Sequence, residues 1–155
     1  VILYVGMMLL QYFLHTTNPI VFIVINAVAM FGIAIFNFLI WAFIIDVIDF
    51  QEVRSGERDD ATVYAVYSWA RKLGQAAAGG LAGFALSIIG YQASTAGEAV
   101  TQSADTIEGI WALATLVPAV FLAGTAAALL FWYPLKKQQV LQNTEILAER
   151  RAASA

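Results

Sequence analysis

The sequence predicts an all-α membrane protein, because it is poor in charge, contains long apolar runs and carries its basic residues on one side of those runs. Of the 155 residues, 61% are hydrophobic and 12% are charged, whereas a soluble domain has about 25% charged residues. A helix rising about 1.5 Å per residue needs about 20 apolar residues to cross hydrocarbon about 30 Å thick. Three stretches reach that length.

The predicted spans are residues 20–45, 62–90 and 107–133. The first contains no charged residue and no histidine, so it is the clearest of the three. The second contains Arg71 and Lys72, and the third contains a proline but no charge beyond its first turn. Together they predict three helices that cross the membrane in alternating directions.

Residues 1–14 are apolar but shorter than a span, and they begin without an initiator Met. We expect them to be the end of a truncated span, so that the chain is a fragment of a longer protein. They have no basic flank, which argues against a secretory signal peptide. Cysteine is absent from the sequence, so disulfide and thiol chemistry are excluded.

Basic residues predict the orientation of the chain. Residues 15–19 and 91–106 contain no Lys or Arg, whereas residues 46–61 and 134–155 do. By the positive-inside rule we expect a cytoplasmic connection at 46–61, an outer loop at 91–106 and a cytoplasmic tail at 134–155. The spacing of apolar residues in the tail favours a short helix at the membrane surface.

The connection 46–61 is densely charged, and Asp46, Asp49, Arg54 and Arg58 are candidates for a cytoplasmic motif with a gating role. The alternative is a plain solvated loop. Nothing near these carboxylates suggests a metal site or an oriented nucleophile, so no enzyme is indicated. The net charge of −3 gives no case for binding nucleic acid. His15, the single histidine, is expected to have no chemical role.

A polar stripe marks the predicted second span, where helical spacing puts five residues on one face. The stripe consists of Tyr64, Tyr67, Ser68, Arg71 and Gln75. Charges inside hydrocarbon are unfavourable unless they face a bundle interior or a water-filled path. Hydroxyls and aromatic faces suit sugars and a guanidinium suits a carboxylate, so the stripe predicts a substrate path.

Lys72 lies about 15 Å along this helix from Thr62, which is near mid-membrane. The alternative for Arg71 and Lys72 is that both snorkel to the cytoplasmic interface. On another face, small residues at Ala76, Gly79, Gly80 and Gly83 predict close packing of a neighbouring helix.

The first predicted span carries Asn26 and Asn37 on one face, with Trp41 one turn below Asn37. For Asn26 we expect a hydrogen bond between helices. For Asn37 such a bond and a substrate contact are both open. For Trp41 the expectation is a place in the interfacial aromatic belt.

Three strings carry a family resemblance: DVIDFQEVRSGER from Asp46, YSWARKLGQA from Tyr67, and IIGY ending at Tyr91. They resemble the glycoside-pentoside-hexuronide:cation symporters of the major facilitator superfamily, of the melibiose permease and glucuronide carrier type. The resemblance implies a twelve-span fold, of which this chain is the C-terminal part. The segments would be the end of span 9 and spans 10, 11 and 12.

The resemblance also implies site residues. The substrate positions would be Asn37, Tyr67, Ser68 and Arg71, and Lys72 would balance charge at the cation site. Asn37 stands where sugar permeases of this kind have a tryptophan, and Arg71 where they have an aliphatic residue, so a galactoside preference is not implied. The string from Tyr67 is nearer to that of the glucuronide carriers, whose cargo carries a carboxylate.

The leading hypothesis is therefore Na⁺- or H⁺-coupled symport of a sugar, glycoside or hexuronide across the cytoplasmic membrane, with this fragment inactive alone. The expected partners are membrane lipid, the sugar or glycoside, and the N-terminal spans of the same transporter, where the cation-site residues would lie. No cofactor is expected beyond the coupling cation. The alternatives are a carrier of lysolipids or other amphiphiles, and a small non-transporting membrane subunit.

Overall fold

The computed structural model describes residues 1–94 and 100–153. It contains five helices: α1 (Ile2–Leu14), α2 (Pro19–Ser55), α3 (Asp60–Ile88), α4 (Ala104–Phe131) and α5 (Lys137–Ala153). These positions fit the predicted order of helices. Residues 95–99 of the predicted outer loop, and residues 154–155 of the predicted tail, lie outside the described residues.

Side chains before α2, α3 and α4 cap the first turns of these helices. The Asn18 carboxamide oxygen accepts hydrogen bonds from the amides of Ile20 and Val21, at 2.9 and 3.4 Å, with Pro19 in the first helical position. Asp59 accepts from the amide of Thr62 at 3.0 Å and so caps α3. Ser103 caps α4 in the same way through its hydroxyl. These caps satisfy amides that have no partner inside the helix.

Helix α2 continues ten residues beyond the predicted end of its span at residue 45. The residues from 46 to 55 include no glycine or proline, so nothing in them stops the helix. It ends at Gly56, whose φ of +83° only glycine adopts readily and whose amide donates to the Glu52 carbonyl at 2.9 Å. The expected connection 46–61 is therefore mostly helical, and only residues 56–59 form the turn.

Helix α3 ends in the same manner. Gly90 has a φ of +76°, and the amide of Tyr91 donates to the carbonyl of Leu86 at 3.0 Å. This is the pattern of a helix end closed by a left-handed glycine. After it, the carboxamide of Gln102 both donates to the carbonyl of Gln92 and accepts from its amide, at 2.7 and 3.1 Å, which joins the two described ends of the outer loop.

The chain divides into two compact units. Unit 1 comprises 1–33 and 73–126, and unit 2 comprises 34–72 and 127–155. The core of unit 1 contains Tyr4, Met8, Ala29 and Ala119. The buried apolar residues of unit 2 are Ile44, Ile48, Leu135 and Leu147.

A polar bond links α1 to α2 inside unit 1. The carboxamide of Asn26 donates to Gln11 Oε1 at 2.8 Å, and Gln11 is buried. This confirms the expected bond between helices at Asn26. Such a bond satisfies polar groups that would otherwise be left unpaired in an apolar setting.

Two helices are long and apolar enough to cross a membrane by length and composition, α2 and α4. Helix α3 is not one of them, because Asp60, Arg71, Lys72 and the other polar residues of the stripe lower its hydropathy. Its expected passage across the membrane stays a prediction. α1 is apolar but shorter than a span, as expected.

No residue of α3 is buried against the rest of the described chain. A side chain added at Gly79, Gly80 or Gly83 would meet no atom within 4 Å. Within unit 1, these three glycines therefore do not pack closely on another helix. Close packing of the small-residue face stays a prediction.

Candidate functional site

The polar stripe of α3 is open in the structure. Ser68, Arg71 and Gln75 are exposed, and Tyr67 is half-buried. Neither Arg71 nor the neighbouring Lys72 forms an ion pair or hydrogen bond with any part of the chain that the structure describes. Two cations near the middle of a long helix are thus left available to groups outside the described residues.

Helix α2 adds an aromatic side chain to the stripe within unit 2. The ring centroid of Trp41 lies 6.3 Å from that of Tyr64 and 6.2 Å from that of Tyr67. Asn37 is exposed one turn earlier on the same helix. The structure thus joins Tyr67, a predicted substrate residue, to Trp41, for which sequence reasoning gave only a place in the aromatic belt.

The chemistry of this surface follows from its groups. Two phenols and a hydroxyl can donate and accept hydrogen bonds, and the indole and phenol faces can cover an apolar ring face. The Arg71 guanidinium is a planar fork of donors that matches a carboxylate or another oxyanion. The set suits a polar, ring-containing anion.

A second group of charges lies at the turn between α2 and α3. The Arg58 guanidinium donates to Asp49 and to Glu52, both at 2.9 Å, and lies 3.0 Å from Asp60. These hydrogen bonds raise the pKa of Arg58 above its ordinary value, with Asp49 the largest cause and Glu52 the next. Arg58 therefore ties the end of α2 to the start of α3 within unit 2.

The carboxyl group of Asp59, which caps α3, has an altered pKa as well. Hydrogen bonds from the side chain and amide of Thr62 lower the pKa of the Asp59 carboxyl below its usual value. A carboxylate at a helix N-terminus is also favoured by the helix dipole. Asp59 is thus held in its charged form in the folded chain.

The predicted cytoplasmic motif is brought together only in part. Asp49 and Arg58 pair directly, whereas Asp46 and Arg54 have no ion pair in the described chain. Sequence reasoning missed Glu52 and Asp60 as partners of Arg58. The spacing of three between Asp49 and Glu52 was a usable signal, because it puts both carboxylates on one face of a helix.

The tail helix α5 contacts this motif. Arg150 donates to the carbonyls of Glu52 and Val53, at 3.3 and 3.2 Å, and Arg151 lies 3.5 Å from the Glu52 carboxylate. Backbone carbonyls at the end of a helix lack partners within it and attract cations. α5 is a helix, as expected, and it caps the end of α2; its place at the membrane surface stays a prediction.

At the other end, His15 pairs with Glu108 within unit 1. The His15 Nε2 and Glu108 Oε2 atoms are 3.0 Å apart, and the Trp111 ring centroid is 5.3 Å from that of His15. His15 also ends α1 with a left-handed backbone, at a φ of 42°. Sequence reasoning expected no chemical role for His15, and the structure gives it a structural one. No cluster of His, Cys, Asp or Glu among the described residues could hold a metal ion.

Comparisons with known proteins agree on one family. A family described as "MFS/sugar transport protein" matches residues 1–137. The symporter YjmB of Bacillus subtilis is 38% identical over 89% of this chain and 29% of its own length. A candidate sulfoquinovose importer of Escherichia coli is 31% identical over 94% of this chain and 32% of its own.

A third relative is the glucuronide carrier protein homolog of Escherichia coli, 31% identical over 70% of this chain and 22% of its own length. The chain spans less than a third of the length of each of these three relatives. No solved structure matches the chain.

Proposed function

This chain belongs to the glycoside-pentoside-hexuronide:cation symporters of the major facilitator superfamily, and from that premise we propose that it supplies one wall of the substrate path in a carrier of anionic sugars. It is a membrane protein of a transporter family, and its relatives are named as symporters and carriers. The finer proposal is Na⁺- or H⁺-coupled symport of a hexuronide or a related anionic sugar across the cytoplasmic membrane, with the C-terminus inside.

The observation that carries the proposal is that the Arg71 side chain is exposed and forms no ion pair or hydrogen bond in the described part of the chain. It lies one turn from Tyr67 and Ser68 on a helix that buries nothing against its own chain. A guanidinium in a water-poor path gains most from a bound oxyanion.

The names of the relatives support an anion as cargo. A glucuronide carries a carboxylate, and sulfoquinovose carries a sulfonate. Both groups present planar or fork-like oxygens to a guanidinium. Asn37, Tyr67 and Ser68 would then bind hydroxyl groups of the sugar, which donate and accept hydrogen bonds as these side chains do.

Transport would proceed by rocking of two halves about a site near the midplane. Lys72, beside Arg71, would neighbour the carboxylates that bind the coupling cation on spans outside this chain. The ion pairs around Arg58, with Asp46 and Arg54 nearby in sequence, would serve the cytoplasmic side of the gate. In this proposal the chain is the end of span 9 and spans 10, 11 and 12 of a twelve-span carrier.

Equilibrium binding to the complete carrier tests the role of Arg71. Arg71→Gln should weaken a phenyl glucuronide by about ten- to a hundredfold, the equivalent of one charge-assisted hydrogen bond. The matching neutral phenyl glucoside should be nearly unaffected. Lys137→Gln, which removes an exposed cation outside the stripe and outside the cytoplasmic motif, is the control and should change neither affinity.

Three outcomes would count against the proposal. Equal loss of both ligands would assign Arg71 to sugar hydroxyls or to the helix bundle, and would remove the preference for anions. Tight binding of a lysophospholipid with none of either glycoside would favour an amphiphile carrier. Normal folding without binding of any of the three ligands would favour a subunit that does not transport.

A further inference from the structure

Trp41 is the feature of unit 2 that the proposed function does not use. Its indole is 50% exposed although two tyrosine rings lie next to it. The described residues of unit 2 leave this half of the indole uncovered, so whatever contacts it comes from outside them: another span of the carrier, lipid or a substrate.

The two tyrosines are placed around the indole without covering it face to face. The planes of Tyr64 and Tyr67 are inclined to that of Trp41 by 41° and 59°. Neither tyrosine ring is parallel to the indole, so neither forms a face-to-face stack with it. Tyr64 is itself 37% exposed. The three rings thus form a partly open aromatic surface.

This surface is continuous with the polar stripe. Tyr67 belongs to both, Ser68 follows it directly, and Arg71 lies one turn further along α3. The helical rise puts Arg71 about 6 Å beyond Tyr67 along the axis. That separation is the size of one sugar ring with its charged substituent. At the predicted depth of Arg71, a guanidinium is unfavourable unless it faces a bundle interior or a water-filled path.

We infer that Trp41, flanked by Tyr64 and Tyr67, is the platform on which the ring of an anionic sugar stacks while its charged group reaches Arg71. The inference rests on the proposed function and adds the residue that selects for a ring. The ring hydroxyls point outward from the stacked face, and Ser68, which is exposed and follows Tyr67 directly, would bind one of them. Arg71 selects the charge, and Trp41 selects the pyranose.

Trp41 is expected to contact the ring of the ligand, and Arg71 its charged group. Three ligands that differ in these two features therefore test the two roles separately. The probes are a methyl glucuronide, the matching neutral methyl glucoside, and 2,3-dihydroxypropane-1-sulfonate, an anion without a ring; the methyl aglycone leaves the pyranose as the only ring. In the complete carrier, Trp41→Ala should weaken both glycosides by about tenfold, or about 1.4 kcal/mol. The ringless anion should bind as in wild type. Arg71→Gln should weaken the two anions and spare the neutral glucoside.

Trp69→Ala is the matched control. Trp69 is 67% exposed and lies two residues from Tyr67, hence on a different face of α3. It should leave all three affinities unchanged. If Trp41→Ala fails to fold, Trp41→Phe and Trp41→Leu decide, since both fill space and only phenylalanine keeps an aromatic face. Phenylalanine should retain most glycoside affinity and leucine should lose it.

Each result has one meaning. If Trp41→Ala matches Trp69→Ala while Arg71→Gln still discriminates by charge, the platform is wrong, Trp41 belongs to the interfacial belt, and the proposed function stands. If Trp41→Ala weakens all three ligands equally, Trp41 only supports the fold and the platform is again wrong. If wild type binds neither glycoside, the proposed function fails and the platform fails with it.

Discussion

The guanidinium of Arg58 lies 2.9 Å from the Asp49 carboxylate, across the turn that joins α2 to α3. The same nitrogen reaches Glu52, and Asp60 binds the other side of the group. One cation thus neutralises carboxylates from the end of one helix and the start of the next. The geometry of this turn depends on charge, because residues 56–59 contribute no large apolar side chain.

Removing the charge of Arg58 should loosen this turn. In Arg58→Gln the carboxylates of Asp49, Glu52 and Asp60 lose the cation that they share, and only Glu52 keeps another, Arg151. The backbone amides of residues 56–62 should therefore exchange hydrogen faster. Arg54→Gln should leave their exchange unchanged, because Arg54 is exposed and has no ion pair in the described chain. Hydrogen exchange followed by mass spectrometry measures this, and equal exchange in the two variants would contradict it.

Acid should weaken the cap of α3. The pKa of Asp59 is lower in the folded chain than in the unfolded chain, where it is about 3.9. The charged carboxylate therefore adds its full stabilisation to the folded state above that pH, and this stabilisation is lost as pH falls through the lower folded-state pKa. Wild type should therefore have a higher melting temperature than Asp59→Ala at neutral pH, and the difference should shrink below about pH 4. Asp59→Asn keeps an acceptor without titrating, so its difference from Asp59→Ala should not depend on pH. If the difference in melting temperature between wild type and Asp59→Ala did not change with pH, this prediction would be wrong.

Lys72→Ala in the complete carrier should abolish cation-coupled accumulation of substrate while the protein still inserts. The expected reason is that a cation at this depth balances the charge of the carboxylates that bind the coupling ion. Lys136→Ala, outside the predicted spans, is the control and should accumulate normally. Uptake into cells with and without the cation gradient measures the effect. Normal coupled uptake by Lys72→Ala would assign Lys72 to the membrane interface.

The turn between α2 and α3 should be cytoplasmic. A cysteine at Ser55 would disturb the turn, because the Ser55 hydroxyl binds the carbonyls of Gln51 and Glu57. Glu57→Cys is the better probe, since Glu57 is exposed in the same turn. In a cysteine-free carrier it should resist an impermeant thiol reagent added outside intact cells, whereas Thr101→Cys in the outer loop should react. If Glu57→Cys were labelled and Thr101→Cys were not, the topology would be the reverse of the predicted one.

The helices were largely predictable from sequence, because their signals are local. Apolar runs gave α2 and α4, and the polar stripe follows from helical periodicity alone. The end of α2 was missed by ten residues, since hydropathy changes at Asp46 while the helix does not stop until Gly56. The stop signal was present, as a glycine preceded by Arg54 in the last turn.

The composition of the site was less predictable, because it depends on which residues of different helices meet. Periodicity places Tyr64 and Tyr67 on one face of α3, but it cannot say that Trp41 of α2 lies about 6 Å from both. The contacts of Arg150 with the end of α2 are equally non-local. Single-sequence patterns carry no information on such pairings.

The contact between Arg150 and the end of α2 sets an order on biosynthesis. The Glu52 carbonyl receives its guanidinium partner from a residue 98 positions later in the chain. At a translation rate of about 5 to 20 residues per second, the ribosome needs roughly 5 to 20 s to make that stretch. During this interval the Glu52 carbonyl has the amide of Gly56 as its partner, whereas its contact with the Arg150 guanidinium has still to form. The C-terminal end of α2 therefore gains its full set of contacts only after α5 has been made.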